Sequence, residues 1–275
     1  MTTLYRGMDR AALDVAYNNT QAIPDFAAVL AGFRARSARV YETSECQRDL
    51  RYGQQPRERF DLFRGRDSNA PTWIFVHGGY WQSLGKEDFA FVARGPLAHG
   101  FNVVLAEYTL APEASMTQIV GEIGSLLDHL ASNHDRLALG LGPVCLTGHS
   151  AGGHLSAVHR SHPLIAHAMS ISPLVDLEPI SLSWLNGKLN LTPHEIDVYS
   201  PLRHIGQGAP ITVAVGAAEL PELVRQASEY AAAVRKAGET VQYMPVDNCN
   251  HFSVLEELEK PSGILMNALI TALAR

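Results

Sequence analysis

Pro143-Val144-Cys145-Leu146-Thr147-Gly148-His149-Ser150-Ala151-Gly152-Gly153-His154 is the stretch on which the fold turns. Its first part is a short apolar run with the length of a buried strand, and residues 151–160 read as a helix. Between them lies Gly-x-Ser-x-Gly at 148–152. Alone, five positions carry little weight, and a glycine-rich turn closing a strand–helix unit satisfies them equally well. Their setting adds more. A strand that feeds straight into the pattern and a helix that leaves it describe a tight, strained turn presenting a serine hydroxyl. Such a turn needs small neighbours, and Ala151, Gly152 and Gly153 are small.

Working outward, short apolar runs at 72–76, 102–106, 144–147, 165–172, 211–215 and 241–246 read as strands. Patterns at 86–99, 117–130, 151–160 and 223–234 read as helices, and a helical tail follows. Two further strands fit between Glu45 and Arg66. Alternation of this kind implies an α/β class with a mostly parallel sheet of about eight strands, covered by helices on both faces. Residues 1–43 read as a helical segment that packs on the core or caps a site. Within it Asp25 caps a helix whose Phe26, Val29, Leu30 and Phe33 form one stripe. Residues 44–275 form the core, interrupted at about 176–207 by an irregular stretch suited to shaping a pocket.

Composition narrows the function classes. The 275 residues are 46% hydrophobic and 18% charged, with a formal net charge of -6 and no basic run, so nucleic acid and anionic membranes are poor partners. No apolar stretch is long enough to span a bilayer, and Arg6, Asp9, Arg10, Asp14 and Asp25 interrupt any signal-peptide pattern. Cys46, Cys145 and Cys249 show neither disulfide nor zinc spacing. The expectation is a cytoplasmic protein acting on a small molecule, without metal or cofactor; homodimerisation stays open.

If Ser150 is a nucleophile, it needs a base, an orienting acid and donors for a developing oxyanion. His77-Gly78-Gly79-Tyr80-Trp81 follows the strand at 72–76, and its glycines allow a close backbone approach, so Gly79 and Tyr80 join Ala151 as backbone donors. His77 is read as a loop anchor rather than the base. His251, in Asn250-His251-Phe252 after the last strand, is the candidate base; nearby Cys249 lacks an elbow and reads as loop packing. Glu219, on the turn after the strand at 211–215, is the preferred acid, with Asp176 as its rival. Tyr80, Trp81 and His149 are candidates for the pocket wall, and Trp81 doubles as a packing anchor.

These motifs resemble those of the arylformamidase (kynurenine formamidase) branch of the α/β-hydrolases, related to hormone-sensitive-lipase-like esterases. The resemblance rests on HGGYW at 77–81, GHSAGGH at 148–154, NHF at 250–252, Tyr17-Asn18-Asn19 and Ile23-Pro24-Asp25, and it covers most of the chain. It implies a metal-independent serine hydrolase that cleaves an N-formyl arylamine or a small aryl ester. The family usually carries Asp where this chain has Glu219. A short-chain carboxylesterase is the alternative within the class, and a non-catalytic binding protein on the same fold is the alternative outside it.

Overall fold

The computed structural model describes residues 3–274. Strands β1 (Cys46–Arg51), β2 (Arg59–Phe63), β3 (Thr72–Val76), β4 (Asn102–Ala106), β5 (Val144–His149), β6 (His167–Ile171), β7 (Ile211–Gly216) and β8 (Val241–Val246) form one sheet. Their order is β1-β2-β4-β3-β5-β6-β7-β8. The β1–β2 and β2–β4 pairs are antiparallel, and every pair from β4 onward is parallel. Parallel pairing requires crossovers, and the helices supply them.

Helices α1 (Arg10–Ala16) and α2 (Phe26–Thr43) precede the sheet. After β3 come α3 (Lys86–Phe89) and α4 (Arg94–Ala98), after β4 α5 (Met116–Ser132), and after β5 α6 (Ala151–Val158). Three short helices, α7 (Glu178–Ser181), α8 (Asn186–Leu189) and α9 (Pro193–Val198), occupy the irregular stretch. Helix α10 (Pro221–Lys236) separates β7 from β8, and α11 (Glu256–Glu259) and α12 (Ile264–Leu273) follow.

Successive strand side chains point to opposite faces, and the core divides accordingly. Ile74 and Val76 of β3 pack with Val104, Leu146 and the α5 residues Ile123, Leu126 and Leu130. Trp73 and Phe75 turn the other way, toward Phe33 of α2 and Leu265 and Leu269 of α12. The five residues of β3 and the six of β5 are all buried, as expected for strands covered on both sides. Asp25 caps α2 through the Ala28 N–H at 2.9 Å.

Segment 86–99 departs from the single helix that its pattern suggests. It is α3, then a 3-10 turn at Ala90–Ala93, then α4. Pro96 is the physical reason. It has no N–H to return to the carbonyl of Val92, and its ring crowds that carbonyl, so one continuous helix cannot run through it. Pro96 lies instead in the first turn of α4, where no such bond is needed.

Lys86 at the start of α3 has a fully buried side chain. Its ammonium donates to Asp61 of β2 at 3.0 Å and to Asp49 at 3.1 Å, and lies 2.5 Å from Glu87. Burial disfavours the charge, but these carboxylates outweigh it and raise the Lys86 pKa. Removing one partner of a buried pair strands the other. Lys86→Ala should therefore lower the unfolding free energy by about 3–5 kcal/mol in urea denaturation, where an exposed pair gives less than ~1 kcal/mol.

Candidate active site

Residues 148–153 form the turn expected of them. Ser150 follows β5 with φ +56° and ψ -116°, a region that L residues seldom occupy. The turn is compressed against β3: a Cβ on Gly152 would lie 2.0 Å from the Val76 carbonyl oxygen. Only a glycine at the start of α6 permits that approach, which brings Ser150 beside the loop leaving β3.

That loop is strained in its own right. Gly79 has φ +115°, with Tyr80 at +55° and Trp81 at +58°. At Gly79 a Cβ would collide with the Ser83 carbonyl. The backbone N–H groups of Gly79, Tyr80 and Ala151 donate to no other group among the described residues. Gly79 and Tyr80 line the same cavity as Ser150, and Ala151 follows Ser150 as the first residue of α6, where helix N–H groups have no intrahelical partner.

Glu107, at the end of β4, holds the loop in place. Its Oε1 accepts from His77 Nε2 at 2.9 Å, Arg57 Nη2 at 2.7 Å and the Tyr108 N–H at 3.1 Å, and its Oε2 accepts from the Lys86 N–H at 3.2 Å. Burial pushes the Glu107 pKa up, but His77 and Arg57 reverse that and hold it at about 2. His77 is stacked against Tyr108, whose hydroxyl donates to the His77 carbonyl at 3.0 Å. His77 thus anchors the loop and stays clear of Ser150. Sequence reasoning missed Glu107 because it sits outside every motif; an acidic residue directly after the apolar run at 103–106 was the available signal.

The loops after β7 and β8 are stitched together by Ala217 N–H to the Val246 carbonyl and Ala218 N–H to the Cys249 carbonyl, both 2.9 Å. This brings His251 Nδ1 within 2.6 Å of Glu219 Oε2. Glu219 Oε1 accepts from Ser172 Oγ at 2.5 Å and from the Gly216 N–H at 2.7 Å. The extra methylene of Glu relative to Asp is absorbed by folding the carboxylate back onto the end of its own strand. Asp176 does not approach His251; it accepts from the Tyr5 hydroxyl at 2.8 Å.

Ser150 and His251 line one cavity of about 240 Å³. No hydrogen bond joins them, and contacts of this kind tighten in the complex with substrate. His149 lies between the elbow and the histidine loop, its Nε2 donating to the His251 carbonyl at 2.8 Å. Burial drives the His149 pKa well below its ordinary value, and neighbouring His251 adds to the effect. His149 is therefore neutral, with Nδ1 as an unpartnered acceptor.

Most of the remaining wall is apolar: Phe26, Tyr80, Leu84, Phe89 and Phe252, with Asn19, Thr20 and Ser83 as polar exceptions. Tyr80 and His149 thus stand in the wall. Trp81 does not; it is fully buried in the core with its ring edge-on to His154, a packing anchor. No residue of 176–207 lines the cavity either. That stretch reaches the site from behind, through Trp184 packed edge-on against Tyr80 and through the Leu185 carbonyl, which accepts from Gln82 at 2.8 Å. Larger hollows of about 660, 620, 620 and 270 Å³ lie elsewhere on the surface, and none of them contains a residue of 148–153 or 250–252.

The segment contributing Asn19 and Phe26 is the one that the sequence reads as packing on the core or capping the site. In the structure the Tyr80 hydroxyl donates to the Tyr17 carbonyl at 2.8 Å and accepts from the Asn19 N–H at 3.0 Å. Burial raises the Tyr80 pKa to about 12, so this hydroxyl stays protonated.

A family model described as an alpha/beta hydrolase fold matches residues 73–255, well over half of the chain. The chain belongs to the α/β-hydrolase family. It is a hydrolase of that family's kynurenine-formamidase-like branch. It is 28% identical to a kynurenine formamidase from Danio rerio, covering 98% of this chain and 99% of the relative. It is 32% identical to one from Salmo salar, covering 75% of each. Among solved structures, a Silicibacter sp. protein with a suggested thioesterase activity superposes with a TM-score of 0.85 at 28% identity, covering 96% of this chain and 99% of that one. An esterase from Pyrobaculum calidifontis shares the fold with a TM-score of 0.73 at 18% identity, covering 97% of this chain and 98% of that one. No helix among the described residues is long and apolar enough to cross a membrane.

The low Glu107 pKa has a consequence for acid stability. A carboxylate held at about 2 when folded and about 4.5 when unfolded stabilises the fold above pH 4.5, and the contribution fades as pH falls toward 2. Urea denaturation of the wild type should lose about 3 kcal/mol more between pH 5 and pH 2 than that of Glu107→Gln. Equal acid losses would mean that Glu107 is not held in its ionised form.

Proposed function

We propose that this hydrolase cleaves an N-formyl arylamine or a small aryl ester through an acyl-enzyme on Ser150, with His251 as base and Glu219 as orienting acid. The observation that carries the reading is the 2.6 Å contact between Glu219 and His251 at the rim of a cavity that also contains Ser150 and borders unpaired N–H groups. Glu219 accepts from Nδ1, leaving Nε2 free to take the serine proton. The Ser150 oxygen attacks the carbonyl carbon, and the oxyanion settles between the Ala151 N–H and that of Gly79 or Tyr80, each worth about 3 kcal/mol in the transition state. His251 returns the proton to the leaving amine or alcohol. Water activated by the same imidazole then releases formate or another small acid and restores Ser150.

The formamidase reading draws on the formamidases to which the chain is similar over nearly its whole length, and on the dimensions of the site. A cavity of about 240 Å³ with mainly aromatic and aliphatic walls suits one aryl ring and a small acyl group. Residues 3–43 act as the cap of this site through Asn19, Thr20 and Phe26, and 176–207 act as the prop behind Tyr80. Residues 1 and 2 lie outside the described residues. Three free cysteines, two of them buried, favour a reducing, cytoplasmic setting. A short-chain carboxylesterase would use the same machinery with a roomier acyl pocket.

Formyl, acetyl and butyryl esters of one phenol, assayed beside the matching formanilide, test the reading. Formyl substrates should be fastest; a preference for butyryl would favour the carboxylesterase. Ser150→Ala should lower kcat by about 10⁶-fold and Glu219→Gln by about 10⁴-fold, whereas Asp176→Asn should change it little. Labelling by a fluorophosphonate should disappear in Ser150→Ala.

A further inference from the structure

His149 closes β5 and is 2% exposed. Its main chain is fixed in the sheet, paired with Ile171 of β6, and the next residue is Ser150. Its side chain reaches two other loops. Nε2 lies 2.8 Å from the His251 carbonyl; a carbonyl only accepts, so the ring proton sits on Nε2. Nδ1 faces the loop after β3, where a Cβ on Gly78 would come within 3.2 Å of it. The ring also lies against that of His251, with centroids 4.5 Å apart at 44°. One imidazole, carried on a strand, thus spans the elbow, the loop after β3 and the histidine loop.

Core packing alone does not call for a histidine here. Nδ1 is buried without a partner, and an unpaired buried acceptor destabilises the fold relative to an apolar ring of the same shape. What the imidazole adds is its Nε2–H, and the acceptor of that bond bears directly on His251. The bond from Ala218 meets the histidine loop at the Cys249 carbonyl, two residues earlier. Glu219 holds the His251 side chain, through Nδ1 at 2.6 Å, and Phe252 stands edge-on to the same ring at 5.2 Å. Among the described residues, the main chain of His251 is held by His149.

We infer that His149 is a positioning residue for the reaction: the bond from its Nε2–H to the His251 carbonyl, made from a strand paired on both sides, sets where the base stands relative to Ser150. This rests on the reading of Ser150 and His251 as the reacting pair. With the main chain pinned, the approach to the serine hydroxyl is left to the imidazole, and little orientation has to be found in reaching the reacting geometry. Burial drives the His149 pKa well below its ordinary value. The ring therefore stays neutral, and the imidazolium formed on His251 meets no second cation there.

The test uses phenyl formate and compares wild type with His149→Phe, His149→Gln, His149→Met and Ser150→Ala. The first substitution keeps a ring and removes the donor. The second places an amide N–H near the position of Nε2, and the third matches its length without the donor. In His149→Phe kcat should fall about tenfold or more, toward the roughly 100-fold that a misplacement of about 1 Å brings. The loss should lie in kcat rather than KM, and the rate of fluorophosphonate labelling at Ser150 should fall with it. His149→Gln should recover most of both and His149→Met neither; this pair carries the comparison if the phenylalanine variant does not fold. The far-downfield proton resonance of the His251–Glu219 hydrogen bond should shift or broaden in His149→Phe and return in His149→Gln. A histidine needed for packing alone would lower Tm and leave kcat and this resonance in place. Wild-type kcat in His149→Phe, or a loss in His149→Gln equal to that in His149→Met, overturns this inference alone. Labelling of Ser150→Ala at the wild-type rate, or none of the wild type, overturns the nucleophile assignment and this inference with it.

Discussion

The site depends on a backbone conformation that the serine would not choose. Ser150 stands at φ +56°, a position that costs of order 1–3 kcal/mol and persists only when its surroundings over-determine it. The surroundings here are backbone. The start of α6 presses on the end of β3 so closely that only glycine fits at 152, and the Ser150 N–H is fixed to the Ile171 carbonyl at 2.8 Å. With neighbouring strands on both sides of β5 engaged, the hydroxyl is held beside the loop that leaves β3 rather than left to find it.

Around this point the molecule distributes rigidity unevenly. The loop after β3 is braced by Glu107, a buried carboxylate that gathers donors from His77 of that loop, Tyr108 beyond β4, the start of α3 and Arg57. The histidine loop is braced by backbone bonds to the turn after β7 and by the His149 imidazole beneath it. Both braces are polar and lie where the sheet's apolar packing ends. Glu107 and the groups that donate to it are paired, whereas His149 Nδ1 is not, so it is the network around Glu107 that adds order without an unpaired charge.

Much of this was legible in the primary structure. Strand runs at 72–76 and 144–147 carry enough apolar residues to be read directly, and the glycines at 78, 79, 148 and 152 mark where chain must pass close to chain. Glu219 and His251 were legible by position, each on the turn after a strand, even though nothing local announces that they touch. What escaped reading has physical causes. Pro96 divides the helix expected over 86–99 because a missing N–H is invisible to hydrophobic periodicity. Glu107 and Lys86 look like surface charges until the sheet order brings β2, β4 and α3 together. Trp81 adjoins the catalytic motif in sequence but points into the core, since the positive φ of three successive residues sends its side chain away from the cavity.

The wall of the cavity draws on residues widely separated in the chain: Asn19 and Phe26 come from the segment before the sheet, and His251 and Phe252 from beyond its last strand, with the Phe26 and Phe252 rings 5.0 Å apart. The elbow, by contrast, is held by the strands beside it in the sheet, β3 through Val76 and β6 through Ile171. A chain emerging from synthesis has the partners of this turn well before the cavity is enclosed, which happens only when the two distant stretches meet.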